Sequence, residues 1–406
     1  MTVFEDARSF AARGMAVCAA VLVLLLAAPV RAEVIETPAD FAILTDAKTG
    51  QVLYSKNPDA LMAPASMSKL MTLTMLFERI KSGQIGLDDT IRISEAAWRK
   101  GGAASGSSTM FAEVNSEVPV RDILRGIIVQ SGNDACIAVA EAIGGTEQNF
   151  ADMMTTRARE LGLSRSTFAN STGWPDPSQR MTARELAMLA RYIIQTFPDF
   201  LPLFAEQSFT WNGITQSNRN PLIYSFRGAD GLKTGHTEDS GYGLVGTARQ
   251  GERRVILVVN GLASDRARAR ETKRLMSIAF ASYTEEKLFA AGDPVGSIDV
   301  FHGKAPEVPA VTDRDVSAFI HRSARRDIKI RLAYQSPLKA PIAKGAEIGT
   351  MTVEAPGLEP VRAPVYAGAD VPELGIFGKA LLALDHLIFS DKAAPKGAMG
   401  AGPNGG

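Results

Sequence analysis

Residues 230–262 read DGLKTGHTEDSGYGLVGTARQGERRVILVVNGL, and this stretch constrains the fold most. Val and Ile recur in short runs, and a GE turn stands before the last of them. That is the period of strands, not of a helix. Far upstream, ETPADFAILTDAKTGQVLYSKNPD reads as two short strands around a turn, a hairpin. The chain between is mostly helical. A helix starts within APASMSKLMTLTMLF, and PVRDILRGIIVQSGNDACIAVAEAIGG reads as two helices with SGND between them. RISEAAWRKGGAASGSSTM is rich in Gly and Ser and reads as loop. Residues 147–200 read as mainly helical, broken by the turn-rich NSTGWPDPSQR. DRARARETKRLMSIAFASYTEEKLFA returns to helix. The first globular unit, 33–290, is therefore mixed α/β.

Downstream of residue 290 the texture changes. DIKIRLAYQ, GAEIGTMTVE and PVRAPVYA are short alternating stretches separated by Pro and Gly, which predicts a small all-β, sandwich-like domain over 291–372. Residues 373–392 then read as an amphipathic helix, with Ile376, Phe377, Ala380, Leu381, Leu384, Leu387 and Ile388 on one broad face. It is too short to span a bilayer but long enough to lie on one. The tail 393–406 has the composition of a disordered segment. At the other end, Arg8 and Arg13 precede the apolar run MAVCAAVLVLLLAAPV, and VRA closes it at Ala32. Residues 1–32 thus read as a cleaved secretory signal peptide, which predicts an exported protein.

Composition sets further limits. The chain has 406 residues and a formal net charge of zero, so nothing favours nucleic acid as a partner. Of its two cysteines, Cys18 leaves with the signal, and Cys136 remains alone in an apolar helix. A buried core thiol is the expected state. The four histidines are scattered, no HExxH occurs, and no metal or organic cofactor is expected.

Three polar clusters can carry chemistry. Ser66 and Lys69 stand at i and i+3, so they share one face of a helix start, whereas Ser68 points to the other side. A serine hydroxyl needs a base within reach, and lysine serves as one only when its amine is neutral. Burial, or a cation nearby such as Lys233, favours that form. Ser131 and Asn133, in QSGNDA, fall at a helix–helix turn, where a second hydroxyl relays protons and an amide anchors the lysine and a substrate carbonyl. Lys233, Thr234 and Gly235, in LKTGHT, lie on a strand. A cation and a hydroxyl there grip a carboxylate, and a glycine admits a ligand backbone.

Each cluster is weak alone. Ser336–Lys339 also matches Ser-x-x-Lys, but with Pro inside, and Lys48–Gly50 repeats Lys-Thr-Gly in a hairpin turn. Gly241, Gly243 and Gly246 match a dinucleotide fingerprint but open no helix.

The order Ser-x-x-Lys, Ser-x-Asn, Lys-Thr-Gly, each in a suitable setting, is far more specific. The chain resembles the penicillin-binding proteins and serine β-lactamases, and more closely the D-alanyl-D-alanine carboxypeptidases of low molecular mass. DAKTGQVLYSKNPD, PASMSKLMT, RGIIVQSGNDACIAVAE, NSTGWPD, SNRN and DGLKTGHTEDSGYGLVGTA carry the likeness. It implies a mixed α/β transpeptidase/β-lactamase-like domain with an antiparallel sheet, followed by the β domain and helix. It implies that Ser66 is acylated, that Lys69 is its base, and that Ser131 and Asn133 relay protons and hold substrate. Lys233 and Thr234 orient the peptide's C-terminal end, and backbone N–H groups of Ser66 and His236 form the oxyanion hole. Arg219 in SNRN and Arg268 in RARETKRLM match site arginines, and Arg268, flanked by Arg266 and Arg270, is the candidate for the terminal carboxylate. The implied partners are a peptidoglycan stem ending in D-Ala-D-Ala, β-lactams, and the periplasmic side of the inner membrane through the C-terminal helix. A DD-endopeptidase and a serine β-lactamase remain as alternatives, and so does a non-catalytic cell-wall-binding module. NSTGWPDPSQR holds Asp176 but no glutamate, which argues against a lactamase that deacylates through one.

Overall fold

The computed structural model describes residues 35–380; the signal segment, most of the C-terminal helix and the tail lie outside them. The chain opens with the antiparallel hairpin β1 (Phe41–Asp46) and β2 (Val52–Lys56). A short 3-10 turn over Ala65–Ser68 leads into α1 (Lys69–Lys81). Every residue of α1 from Lys69 to Phe77 is buried, because helices surround it. Then come β3 (Thr90–Arg92), α2 (Glu95–Gly101), β4 (Glu117–Pro119), α3 (Val120–Ile128), α4 (Asn133–Gly144), α5 (Glu147–Glu160) and α6 (Ala183–Thr196). The hairpin β5 (Ser208–Trp211) and β6 (Ile214–Ser217) turns at Asn212-Gly213, where both φ angles are positive, as a tight two-residue loop requires.

The long strands β7 (Ala229–Thr237), β8 (Gly241–Gln250) and β9 (Arg253–Leu262) follow. They join the first hairpin in one antiparallel sheet of order β2-β1-β9-β8-β7. The middle of β9, Val255–Asn260, is buried throughout, which explains its nearly unbroken Val/Ile run. Helix α6 and the next helix, α7 (Asp265–Ser282), pack on this sheet. β7 is the terminal strand, so one of its edges carries no neighbouring strand among the described residues.

Two elements differ from the sequence reading. Part of the stretch read as loop forms α2, capped by Ser94, whose hydroxyl accepts from the Ala97 N–H. Its glycines matter for packing: a Cβ on Gly101 would come 2.3 Å from the Asp134 nitrogen of α4. The stretch read as helix through residue 290 stops at Ser282, and Tyr283–Phe289 forms β10. YTEEKLF has too few apolar residues for a helical stripe, yet it pairs well with β13 (Val316–His321). The six-stranded sheet β14-β16-β17-β12-β11-β15 completes this half, from β11 (Pro294–Phe301), β12 (Glu307–Val311), β14 (Lys329–Ala333), β15 (Leu338–Lys339), β16 (Glu347–Glu354) and β17 (Val361–Ala367). Its core holds Ile298, Val308, Met351, Val353 and Val365. The decoy Ser336–Lys339 ends in β15, away from any helix start. Ile376 and Phe377 are almost fully exposed, and no helix of the described residues is long and apolar enough to cross a membrane.

Candidate active site

The three clusters, 167 residues apart in sequence from Ser66 to Lys233, converge beside β7. A cavity of about 560 Å³ holds Ser66, Ser131, Thr234, Gly235, His236, Arg219 and Arg268 in its lining. Ser66 is half-buried in the 3-10 turn, and the residue before it, Ala65, is held at φ +47°. Ser131, between α3 and α4, is held at φ +61°. Such left-handed backbone at non-glycine residues is costly and gathers at functional sites.

Lys69 is fully buried, and its Nζ donates to Ser66 Oγ at 2.9 Å and to the Thr172 carbonyl at 2.5 Å. Burial brings the amine down to about 8, and the Arg219 charge pushes the same way. The sequence suggested Lys233 as the helping cation. Burial is the larger cause, and Lys233 is itself taken well below its ordinary value, by burial first and the Lys69 charge second. Lys233 Nζ donates to Ser131 Oγ at 3.0 Å. Cys136 lies beside both lysines, but burial pushes its thiol up to about 12, so it stays protonated and inert.

Asn133 is placed differently from expectation. Its Nδ2 donates to Ser107 Oγ at 2.9 Å, and its buried Oδ1 has no partner. The amide is therefore anchored to the Gly/Ser-rich loop rather than to Lys69. Asp134 fastens the same loop, accepting from Thr109 Oγ1 at 2.7 Å and from the Met110 and Ala112 N–H groups. Gly235 has a further reason to be glycine. A Cβ there would lie 2.9 Å from the Pro64 oxygen and 3.1 Å from Met67 Cγ, so its bareness seats β7 against the Ser66 turn.

Of the three neighbouring arginines, Arg266 and Arg270 are exposed, and only Arg268 is buried in the cavity wall. Its guanidinium lies over Tyr242, 5.6 Å from the ring centroid, and Tyr242 stacks on its cross-strand partner His236 at 3.8 Å. Arg219, at the exposed rim, donates to Ser108 Oγ.

Several residues around the site were assigned no catalytic role from sequence. The Thr172 carbonyl is aimed by its loop, where Asn170 Oδ1 collects the Thr172, Gly173 and Trp174 N–H groups. Gly173 sits so close that a Cβ would meet the Ala65 oxygen at 2.0 Å. Ser68, on the far side from Ser66 as expected, bridges the Ala65 carbonyl and Gln179 Nε2. Asp176 hydrogen-bonds to Ser178 and is absent from the cavity lining. No group of three or more potential metal ligands occurs among the described residues.

Residues 28–264 match the family described as D-alanyl-D-alanine carboxypeptidase, and residues 283–373 match the C-terminal domain of penicillin-binding protein 5. The second match starts at the first residue of β10. The D-alanyl-D-alanine carboxypeptidase DacC of Escherichia coli (strain K12) is 35% identical over 374 residues, 90% of this chain and 94% of that one. The crystal structure of the carboxypeptidase DacD from Francisella tularensis superposes with a TM-score of 0.73 at 30% identity, covering 84% of this chain and 95% of that one. Penicillin-binding protein 5 from Haemophilus influenzae gives 0.69 at 34% identity, covering 84% and 99%.

Proposed function

The chain belongs to the D-alanyl-D-alanine carboxypeptidase family and is a serine-type hydrolase of D-Ala-D-Ala ends; on that premise we propose how its own residues perform the reaction and where. Buried Lys69, with its Nζ on Ser66 Oγ, is the observation that carries the assignment. Ser66 Oγ attacks the carbonyl of the penultimate D-Ala while its proton passes to Lys69. The stem peptide lies along the free edge of β7 as an added strand. The oxyanion meets the backbone N–H groups of Ser66 and His236, each worth about 3–4 kcal/mol in such sites. The C–N bond then breaks. Ser131, linked to Lys233, relays the proton to the leaving amine. Asn133 supports the substrate, and Thr234, Arg219 and Arg268 receive its C-terminal end. Water hydrolyses the remaining ester and frees Ser66.

A β-lactam acylates Ser66 by the same attack. Asp176 is bonded to Ser178 and absent from the cavity lining, so the loop offers no carboxylate there to speed deacylation, and the penicillin adduct should persist. The purified full-length protein should release D-Ala from a pentapeptide ending in D-Ala-D-Ala and trap labelled penicillin. Ser66→Ala should stop both; release that survives in Ser66→Ala would sink the assignment.

The location is proposed on composition: export by residues 1–32 and peripheral attachment to the periplasmic face of the inner membrane by the helix from residue 376. Exposure of Ile376 and Phe377 supports the second point. Truncation after Pro372 should release the protein from the membrane fraction; unchanged recovery there rejects the anchor.

A further inference from the structure

Asp265 stands in the lining of the substrate cavity with a carboxylate that no step above uses. It opens α7, and its side chain is 65% exposed, whereas Arg268, three residues on, is 6% exposed. Asp265 Oδ1 pairs with Arg268 Nη2. Other parts of that guanidinium are also engaged or enclosed. Nη2 also reaches the Arg219 carbonyl at 3.4 Å, Nε is buried without a partner, and the flat face rests over Tyr242. The cation is therefore fixed, and a carboxylate of the protein already occupies it.

We propose that Asp265 is a specificity-determining residue: an internal carboxylate that occupies the place of the substrate's terminal carboxylate on Arg268 and yields it when substrate binds. This rests on the reading of Arg268 as the carboxylate receptor. The physical logic is an exchange. A buried guanidinium without an anion is unfavourable, and Asp265 supplies one from within the chain. The supplier is mostly in water, so swinging away costs it little, and its charge still faces the N-terminus of α7. Replacing one carboxylate by another gains little net energy, which keeps ground-state binding weak without touching interactions made only in the transition state. A ligand without a carboxylate cannot make the exchange, and Asp265 keeps the seat.

A role confined to capping the helix or orienting Arg268 predicts the opposite sign on mutation, which makes the idea testable. The measurement is steady-state release by the full-length protein from two substrates, a diacetylated Lys-D-Ala-D-Ala tripeptide and its C-terminal carboxamide. Asp265→Asn should lower KM for the acid about three- to five-fold, the range of an exposed ion pair, and leave KM for the carboxamide unchanged. Asp265→Ser, compatible with a helix start, should do the same and serves if the first variant folds poorly. An acid KM that is unchanged or higher in both variants overturns the proposal. Arg268→Ala separates the two levels. If it erases the preference for acid over carboxamide while the Asp265 variants leave KM unmoved, only the exchange fails. If the preference survives Arg268→Ala, the carboxylate reading of Arg268 fails, and the exchange with it.

Discussion

The two halves of the molecule bury different things. The half ending with α7 encloses Lys69, Lys233, Asn133, Asp134, Glu271 and Arg268. The half from β10 onward buries, among the described residues, no charged side chain; beside Thr312 and Tyr283, whose hydroxyl donates to the Leu53 carbonyl, its buried residues are Ile, Val, Ala, Phe and Met. Charge in an interior costs stability unless it is paired. The first half bears that cost where the chemistry is, and the second has the interior of a domain selected for packing alone. The halves are nevertheless fastened together. Gln51 exchanges two hydrogen bonds with the backbone of Phe319, at 2.7 and 2.8 Å, and Arg184 links Asp59 to Glu359.

Experiments can break this contrast. The largest effect belongs to Lys69. Lys69→Met should reduce penicillin acylation by about 10³-fold or more, as loss of a positioned base does. It should also stabilise the fold by about 1–3 kcal/mol, because an isosteric apolar group replaces a buried amine. A lower melting temperature in Lys69→Met would show that the amine is not a burden and would end the contrast. The wild-type pH profile tests the same point. Acylation needs the neutral amine, so its rate should rise about tenfold per pH unit below 8 and level off above it. A limb that keeps climbing to the ordinary lysine range would refute burial as the cause. For stability the sign is fixed too. The folded value is depressed, so the unfolded chain binds more protons between about 8 and 10.5, and stability should increase with pH across that window.

A smaller effect belongs to the β half. Met351, fully buried, should cost about 2–4 kcal/mol when changed to Ala, while acylation of Ser66 stays at its wild-type rate. Lost acylation would mean that the halves share one cooperative unit. The smallest is Arg184→Ala, about 1 kcal/mol or less, since its partners are largely exposed. Calorimetry resolves it as a shift in the β-half transition, and no shift would leave Gln51–Phe319 as the working fastening.

Much of this was legible in the sequence for a local reason. Strand runs, the β1–β2 hairpin and helix starts are set by period and turn chemistry, and the ordered spacing of Ser66, Ser131 and Lys233 marked the site. Where local signals conflicted, the reading failed. Tyr283–Phe289 is a strand because β13 lies beside it, and Glu95–Gly101 is a helix whose Gly101 packs closely on the start of α4. Neither partner is visible from within its own stretch.

The sequence by itself determined which residue types are present to do chemistry, and their order. Tertiary structure decided their states. A lysine's proton affinity depends on what surrounds it, so only the enclosure of Lys69 shows that its amine is brought down to about 8. The glycine of Lys-Thr-Gly proved to serve the contact with the Ser66 turn, because close approach is a property of two segments and not of one. Asp265 was an ordinary helix-opening acid in sequence. Placed against a buried guanidinium in the cavity wall, it becomes a group that the substrate must displace.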